Sequence, residues 1–269
     1  MAARAAIGLL VAAIIATLAR RTRSLSRSGA VAATGLGTIT AAAGYPWAIL
    51  LIAYFGASSA LSRLGAAEKQ RLTGAIVAKG AQRDARQVLA NGGVFAVAVL
   101  GMLLQPGAWW TALGAGALAA SAADTWATEI GTRYGGVPRS ILSGRPVPVG
   151  TSGGVTVIGS LGALAGAVFV AMVTLAIGWS QLVALAAVAG GVVGALADSF
   201  AGATAQVRRW CDACGLATER VLHDCGSATR VSGGIAGLDN DMVNLFSGIV
   251  GGVAATALFA ALFGGGLPR

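Results

Sequence analysis

Acidic residues are scarce in this sequence, ten in 269, and several stand beside hydroxyls, amides and glycines in otherwise apolar surroundings. One stretch reads Ser121-Ala-Ala-Asp124-Thr125-Trp-Ala-Thr128-Glu129-Ile-Gly131, a second Gly194-Ala-Leu-Ala-Asp198-Ser199, and a third Asp239-Asn240-Asp241-Met-Val-Asn244. On a helix, Asp124, Thr128 and Gly131 share one face and Glu129 lies beside it. A carboxylate near membrane depth is expensive, so its presence points to function. The plainer alternatives are an acid that reaches back to water and, for Asp239, the N-cap of a following helix. Oxygen ligands from carboxylates and amides suit Mg²⁺, which usually binds one or two carboxylates and leaves its other positions to water and substrate phosphates. Asp124, Asp198 and Asp241 are the expected metal ligands. Glu129 and Asn244 support them, and Asn240 stands on the substrate side.

A second set of residues suits phosphate. The run Gly150-Thr151-Ser152-Gly153-Gly154 stands where a helix is expected to begin, so free backbone N–H groups and the helix dipole would attract an anion there. It is neither a Walker loop, lacking the following Gly-Lys-Ser/Thr, nor a dinucleotide fingerprint, lacking parallel strands around it. A plain helix-start turn is the competing explanation. Arg133, Arg139 and Arg145 lie just upstream and would neutralise phosphate charge. A third set holds all three cysteines and the one histidine: Cys211-Asp-Ala-Cys214 and His223-Asp-Cys225. This spacing fits a Cys₃His structural zinc site, against the alternative of three reduced thiols in a loop.

The elements that carry these residues are transmembrane helices. The chain is 56% hydrophobic and 11% charged, with a mean hydropathy of +0.76, and it lacks the polar surface of a soluble domain. Its 41 glycines suit close helix packing in lipid. Apolar segments fall at about 3–19, 28–44, 46–62, 88–104, 108–132, 153–177, 180–205 and 242–264, each near the length a bilayer requires. The net charge of +9 is not a nucleic-acid footprint, because the basic residues gather in every second connection while the turns near residues 44–46, 105–107 and 178–180 carry none. That is the positive-inside pattern. The expected fold is an all-α polytopic bundle of six to eight spans forming one integral membrane domain over residues 1–269, with both termini outside and the basic loops cytoplasmic. Residues 63–87 are expected to form an amphipathic helix at the cytoplasmic interface, residues 206–241 a loop carrying the Cys/His cluster, and Trp47, Trp109, Trp110 and Trp179 interfacial anchors.

Taken together, the motifs at Ser121–Gly131, Gly150–Gly154, Gly194–Ser199 and Asp239–Asn244 resemble those of the phytyl-phosphate kinase family of integral membrane proteins, over roughly residues 5–264. That family is similar to CTP-using polyprenol kinases and CDP-diacylglycerol synthases, which also pair acids at cytoplasmic helix ends with a Gly/Ser/Thr segment. The resemblance implies Mg²⁺-dependent transfer of a phosphoryl group from a nucleoside triphosphate to a prenyl monophosphate lipid. The wealth of Ala, Gly and Arg fits a prokaryotic cell membrane, and a homo-oligomer is left open. Two other readings stay open: a cytidylyltransferase that forms a CDP-lipid, and a transporter, since buried acids and Gly-broken helices also mark carriers.

Overall fold

The computed structural model describes residues 2–80 and 82–263. Its helices are α1 (Ala2–Arg21), α2 (Arg27–Ala43), α3 (Tyr45–Arg63), the short α4 (Ala66–Thr73), α5 (Ala85–Leu104), α6 (Ala108–Tyr134), α7 (Val157–Ala176), α8 (Gln181–Thr204) and α9 (Asn240–Leu262). Local chemistry sets their starts. Ser26, Thr156, Ser180 and Asp239 each accept a hydrogen bond from the first turn of the helix that follows, and Asp84 with Gln87 forms a reciprocal capping box on α5.

Six helices are long and apolar enough to cross a membrane: α1, α3, α5, α7, α8 and α9. The other two long helices, α2 and α6, occupy expected spans but fall outside that set. For α6 the reason is its position. It packs against α3, α5, α7, α8 and α9, and every residue from Gly114 to Ala123 is buried. A helix surrounded by protein has no need of lipid-facing apolar side chains, and small residues serve it better. At the α6–α8–α9 crossing, a Cβ on Gly251 would lie 2.6 Å from the Ala120 Cβ and 2.8 Å from the Gly190 carbonyl oxygen. Only glycine fits that approach.

The basic connections pack together at one end of the bundle. Arg63, at the end of α3, donates to Thr22 and Ser24 in the α1–α2 loop, and Leu25 pairs with Arg83 in a parallel bridge. Two small sheets add to this end. β1 (Arg139–Ser140) pairs antiparallel with β2 (Gly154–Val155), and β3 (Arg208–Cys211) lies between β4 (Leu216–Thr218) and β5 (Arg230–Gly233). The second sheet folds part of the 206–241 connection into a module of its own.

Two expectations need correction. The segment 63–87 is not one amphipathic helix: among the described residues between α3 and α5, helix is confined to the eight residues of α4, bounded by Gly65, at φ +71°, and Gly74. Trp47 is not an interfacial anchor either. It is only 3% exposed and packs against Phe95 and Trp179, with ring centroids 5.5 and 4.8 Å away, because α3 is held against the core at its outer end.

Candidate functional site

At the basic end the helices part around a cavity of about 1010 Å³, walled by α4, residues of the α4–α5 connection, α5, α6, the β1–β2 hairpin, α7, α8, the three-stranded module and the start of α9. Asp124 on α6 and Asp198 on α8 both line it, and their carboxyls approach closely enough to interact. Among the described residues neither has an ion-paired cation, and the Oδ2 of Asp198 is buried without a hydrogen-bond partner. Two partly buried carboxylates facing each other without a counter-charge are costly. A divalent cation between them removes that cost, so this donor set fits Mg²⁺.

Glu129 and Asp241 also line the cavity, but each is tied to a lysine. Lys69 Nζ lies 2.5 Å from Glu129 Oε1, whose side chain is 8% exposed. Lys79 Nζ lies 2.5 Å from Asp241 Oδ2 and 2.9 Å from Asp84 Oδ2. Burial alone would lower the Lys79 pKa, but its carboxylate partners Asp241 and Asp84 outweigh that and raise it. The remaining Asp241 oxygen, Oδ1, is buried and unpartnered among the described residues, so Asp241 keeps one free donor atom. Asn240 and Asn244 line the same wall, and Asp239 caps α9 through Met242 N at 3.2 Å.

The Gly150–Gly154 run lines the cavity as well, but no helix starts there. It is the return of the β1–β2 hairpin, and α7 begins only at Val157, where Thr156 already caps its first turn through Gly159 N at 2.9 Å. The run is held by close packing. Gly153, at φ +77°, would bring a Cβ within 2.8 Å of the Ala203 backbone on α8. Ser152 Oγ donates to Glu219 Oε1 at 3.0 Å.

The three upstream arginines lie outside the cavity. Arg133 is exposed beside Glu68, 3.6 Å away, and over the Tyr134 ring; Arg139 is exposed and donates to the Gly144 carbonyl; Arg145 is exposed. The cations that do line it are Lys69, Lys79, Arg83, Arg209 and Arg220. One sequence signal pointed to two of them: Lys69 and Lys79 are the only lysines in the chain. Glu219 was also missed. Its carboxylate accepts from Ser152, from Gln206 Nε2 at 2.6 Å and from Ala78 N at 3.4 Å, joining three segments. Burial pushes its pKa above the ordinary value of 4.5.

A second cavity, about 330 Å³ and almost entirely apolar, runs as a groove between α1, α2 and α3, past Ile7, Val11, Leu36, Ile52 and Phe55. It meets the first at Arg83, Gln87 and Asn91, which line both.

The Cys/His residues converge as their spacing suggested: one ligand atom from each of Cys211, Cys214, His223 and Cys225 lies within 4.8 Å of every other.

The family model described as integral membrane protein DUF92 matches residues 10–265. Protein PGR of Arabidopsis thaliana is 32% identical over 268 residues, covering 89% of this chain and 90% of the plant protein. An uncharacterised membrane protein of Methanocaldococcus jannaschii is 27% identical over 259 residues, covering 95% and 94%. One from Synechocystis is 32% identical over 143 residues, covering 52% and 55%. With a plant, an archaeon and a cyanobacterium represented, similarity assigns no cell type and no particular membrane. No solved structure matches the chain.

Proposed function

We propose, on the premise that this chain belongs to the DUF92 family of integral membrane proteins, that it is a phosphotransferase acting on a lipid phosphate. In this reading it moves the terminal phosphoryl group of a nucleoside triphosphate, CTP-like, onto a prenyl monophosphate to give a prenyl diphosphate. The observation that carries the reading is the junction of the two cavities. A polar chamber holding carboxylates and cations opens at Arg83, Gln87 and Asn91 into an apolar groove between α1, α2 and α3. An amphiphile with a charged head and a hydrocarbon tail matches that junction; a water-soluble acceptor has no use for the groove.

Within this reading each residue has a physical task. Arg83 stands at the seam, where it would hold the acceptor phosphate with the tail lying in the groove. Lys69 and Lys79, fixed by Glu129 and Asp241, would face the nucleotide phosphates, as would Arg209 and Arg220. Donors placed in advance around phosphoryl oxygens stabilise the charge of the transition state without having to reorganise. The acceptor phosphate is already an anion near neutral pH, so no general base is required. Asp124 and Asp198 would hold Mg²⁺, which when bound would supply positive charge to offset that of the nucleotide phosphates, and Asp241 keeps a free oxygen on the wall of the same cavity. The basic end would face the cytoplasm, by the charge distribution of the connections, and nucleotides are available there. Two of the acids lie close to that end of their helices, Asp241 in the first turn of α9 and Asp198 six residues before the end of α8, while Asp124 lies ten residues before the end of α6. That placement favours an interfacial enzyme over a carrier, whose acids belong at mid-membrane.

The test is purified protein in detergent with Mg²⁺, γ-labelled CTP or ATP, and a panel of prenyl monophosphates. Label in a prenyl diphosphate is the expected result. Pyrophosphate release with formation of a CDP-lipid would replace the kinase reading with cytidylyl transfer. Silence in both assays from folded protein would overturn the enzymatic reading and bring transport forward.

A further inference from the structure

The Cys/His cluster lies outside the chemistry of the cavity, and its geometry stands independently of the proposed reaction. Two turns face each other across the three-stranded module. The first, Cys211-Asp-Ala-Cys214-Gly215, closes the β3–β4 hairpin, with Gly215 N donating to the Cys211 carbonyl at 2.9 Å and Gly215 at φ +65°. The second, His223-Asp-Cys225-Gly226, closes a smaller turn beside the Leu222–Ala228 bridge, with Gly226 N donating to the His223 carbonyl at 2.9 Å and Gly226 at φ +82°. In both, a glycine in the left-handed region follows the last cysteine, so the chain turns back and leaves the cysteine aimed at the opposite turn. Cys211 and His223 are buried between them.

The two spacings at Cys225 are close to tetrahedral edges. With Zn–S about 2.3 Å and Zn–N about 2.0 Å, tetrahedral edges are roughly 3.8 Å between sulfurs and roughly 3.5 Å between sulfur and nitrogen. Cys211 Sγ and Cys225 Sγ are 3.6 Å apart, and His223 Nδ1 and Cys225 Sγ are 3.3 Å apart. A disulfide is bonded at about 2.05 Å, well inside that sulfur–sulfur spacing, and it would use two thiols while leaving the third thiol and the imidazole packed together for no purpose. We propose that Cys211, Cys214, His223 and Cys225 bind one Zn²⁺ as a closed, structural site, with His223 coordinating through Nδ1.

The site's consequence follows from what the module touches. Between the two turns the chain runs through Glu219 and Arg220. Glu219 N donates to the Ile76 carbonyl at 2.8 Å, and Arg220 Nε donates to the Val77 carbonyl at 3.1 Å. These bonds fasten the module to the 74–83 segment, which carries Lys79 and Arg83. A three-stranded sheet of strands three or four residues long has too little core to hold its own shape. The metal supplies that rigidity, and so one wall of the large cavity depends on it.

The measurement is metal content of the full chain, purified in detergent under reducing conditions without chelator and without a histidine tag. About one zinc per chain is expected, falling to background in Cys214→Ser and in Cys225→Ser. Because a variant can lose metal simply by misfolding, the wild-type protein is also exchanged into Co²⁺, where thiolate-to-cobalt charge transfer and the intense visible bands of a tetrahedral thiolate site are expected. Reduced, folded protein with neither zinc nor this spectrum would overturn the site. So would full zinc occupancy in the two serine variants, or a mass corresponding to a native disulfide among the three cysteines.

Discussion

Asp124 and Asp198 have no cationic side chain paired with them among the described residues, whereas Glu129 and Asp241 are each held by a lysine and Glu219 by neutral hydrogen-bond donors. That difference separates two kinds of variant. Replacing Asp198 by Asn removes a donor that nothing else replaces, and kcat should fall on the order of 10²–10³-fold, the usual loss when a preorganised electrostatic contact is removed. Mg²⁺ titration of the residual activity should show weaker dependence, and undiminished turnover would count against the metal assignment. Arg83 tests a different step. If it holds the acceptor phosphate at the mouth of the groove, Arg83→Ala removes a charge-assisted hydrogen bond of about 1.5–3 kcal/mol. KM for the prenyl phosphate should then rise by roughly 10–100-fold, while KM for the nucleotide stays near wild type. An equal rise in both would mean that Arg83 serves the fold, through its side-chain contacts with Ser59 and the Phe55 ring, and not the acceptor.

Among the elements, the hairpin loop, the 74–83 segment and the three-stranded module are joined by one side chain, Glu219. Burial raises its pKa, so the group takes up a proton at higher pH in the folded protein than in the unfolded chain. Its contribution to stability is therefore present below the ordinary value of 4.5 and is lost as pH rises through the folded value. Glu219→Gln, which has no charge to bury, should lessen the fall in melting temperature between acid and neutral pH, measured by thermal unfolding in detergent. A variant with the wild-type slope would show that other groups govern it. The helices were legible in the sequence because apolar length and basic connections are patterns of many residues, and α1, α3, α5, α7, α8 and α9 lie close to the expected spans. The connections were not. Whether Gly150–Gly154 caps a helix or closes a hairpin depends on a partner strand well upstream, with Arg139 opposite Val155, and local composition is silent about that pairing. For the same reason Arg133, Arg139 and Arg145 were near the right residues in sequence yet stand outside the cavity, whereas Arg209, Glu219 and Arg220 reach it from a sheet that no hydropathy pattern announces.

For the molecule as a whole, the arrangement of the two cavities makes a claim about how a lipid arrives. The polar chamber is walled by the α5–α9 core and the basic connections, while α1, α2 and α3 form the groove beside it. α1 packs chiefly on α2, and Ile7, Leu10 and Ile14 are exposed along it, as suits a helix that faces lipid. A prenyl tail entering sideways from the bilayer would lie in this groove with its phosphate at Arg83, and nucleotide would reach the chamber from water. The two routes can be separated by filling one of them. Ala48 on α3 lines the groove and stands away from the chamber, so Ala48→Phe narrows the hydrocarbon path without touching a carboxylate or a phosphate-facing cation. KM should rise steeply with prenyl chain length in this variant, with short-chain monophosphates and the nucleotide affected little. A uniform loss across all chain lengths, in protein that still runs as a single species on size exclusion, would mean that the tail does not use this groove and that the acceptor phosphate enters the chamber by another route.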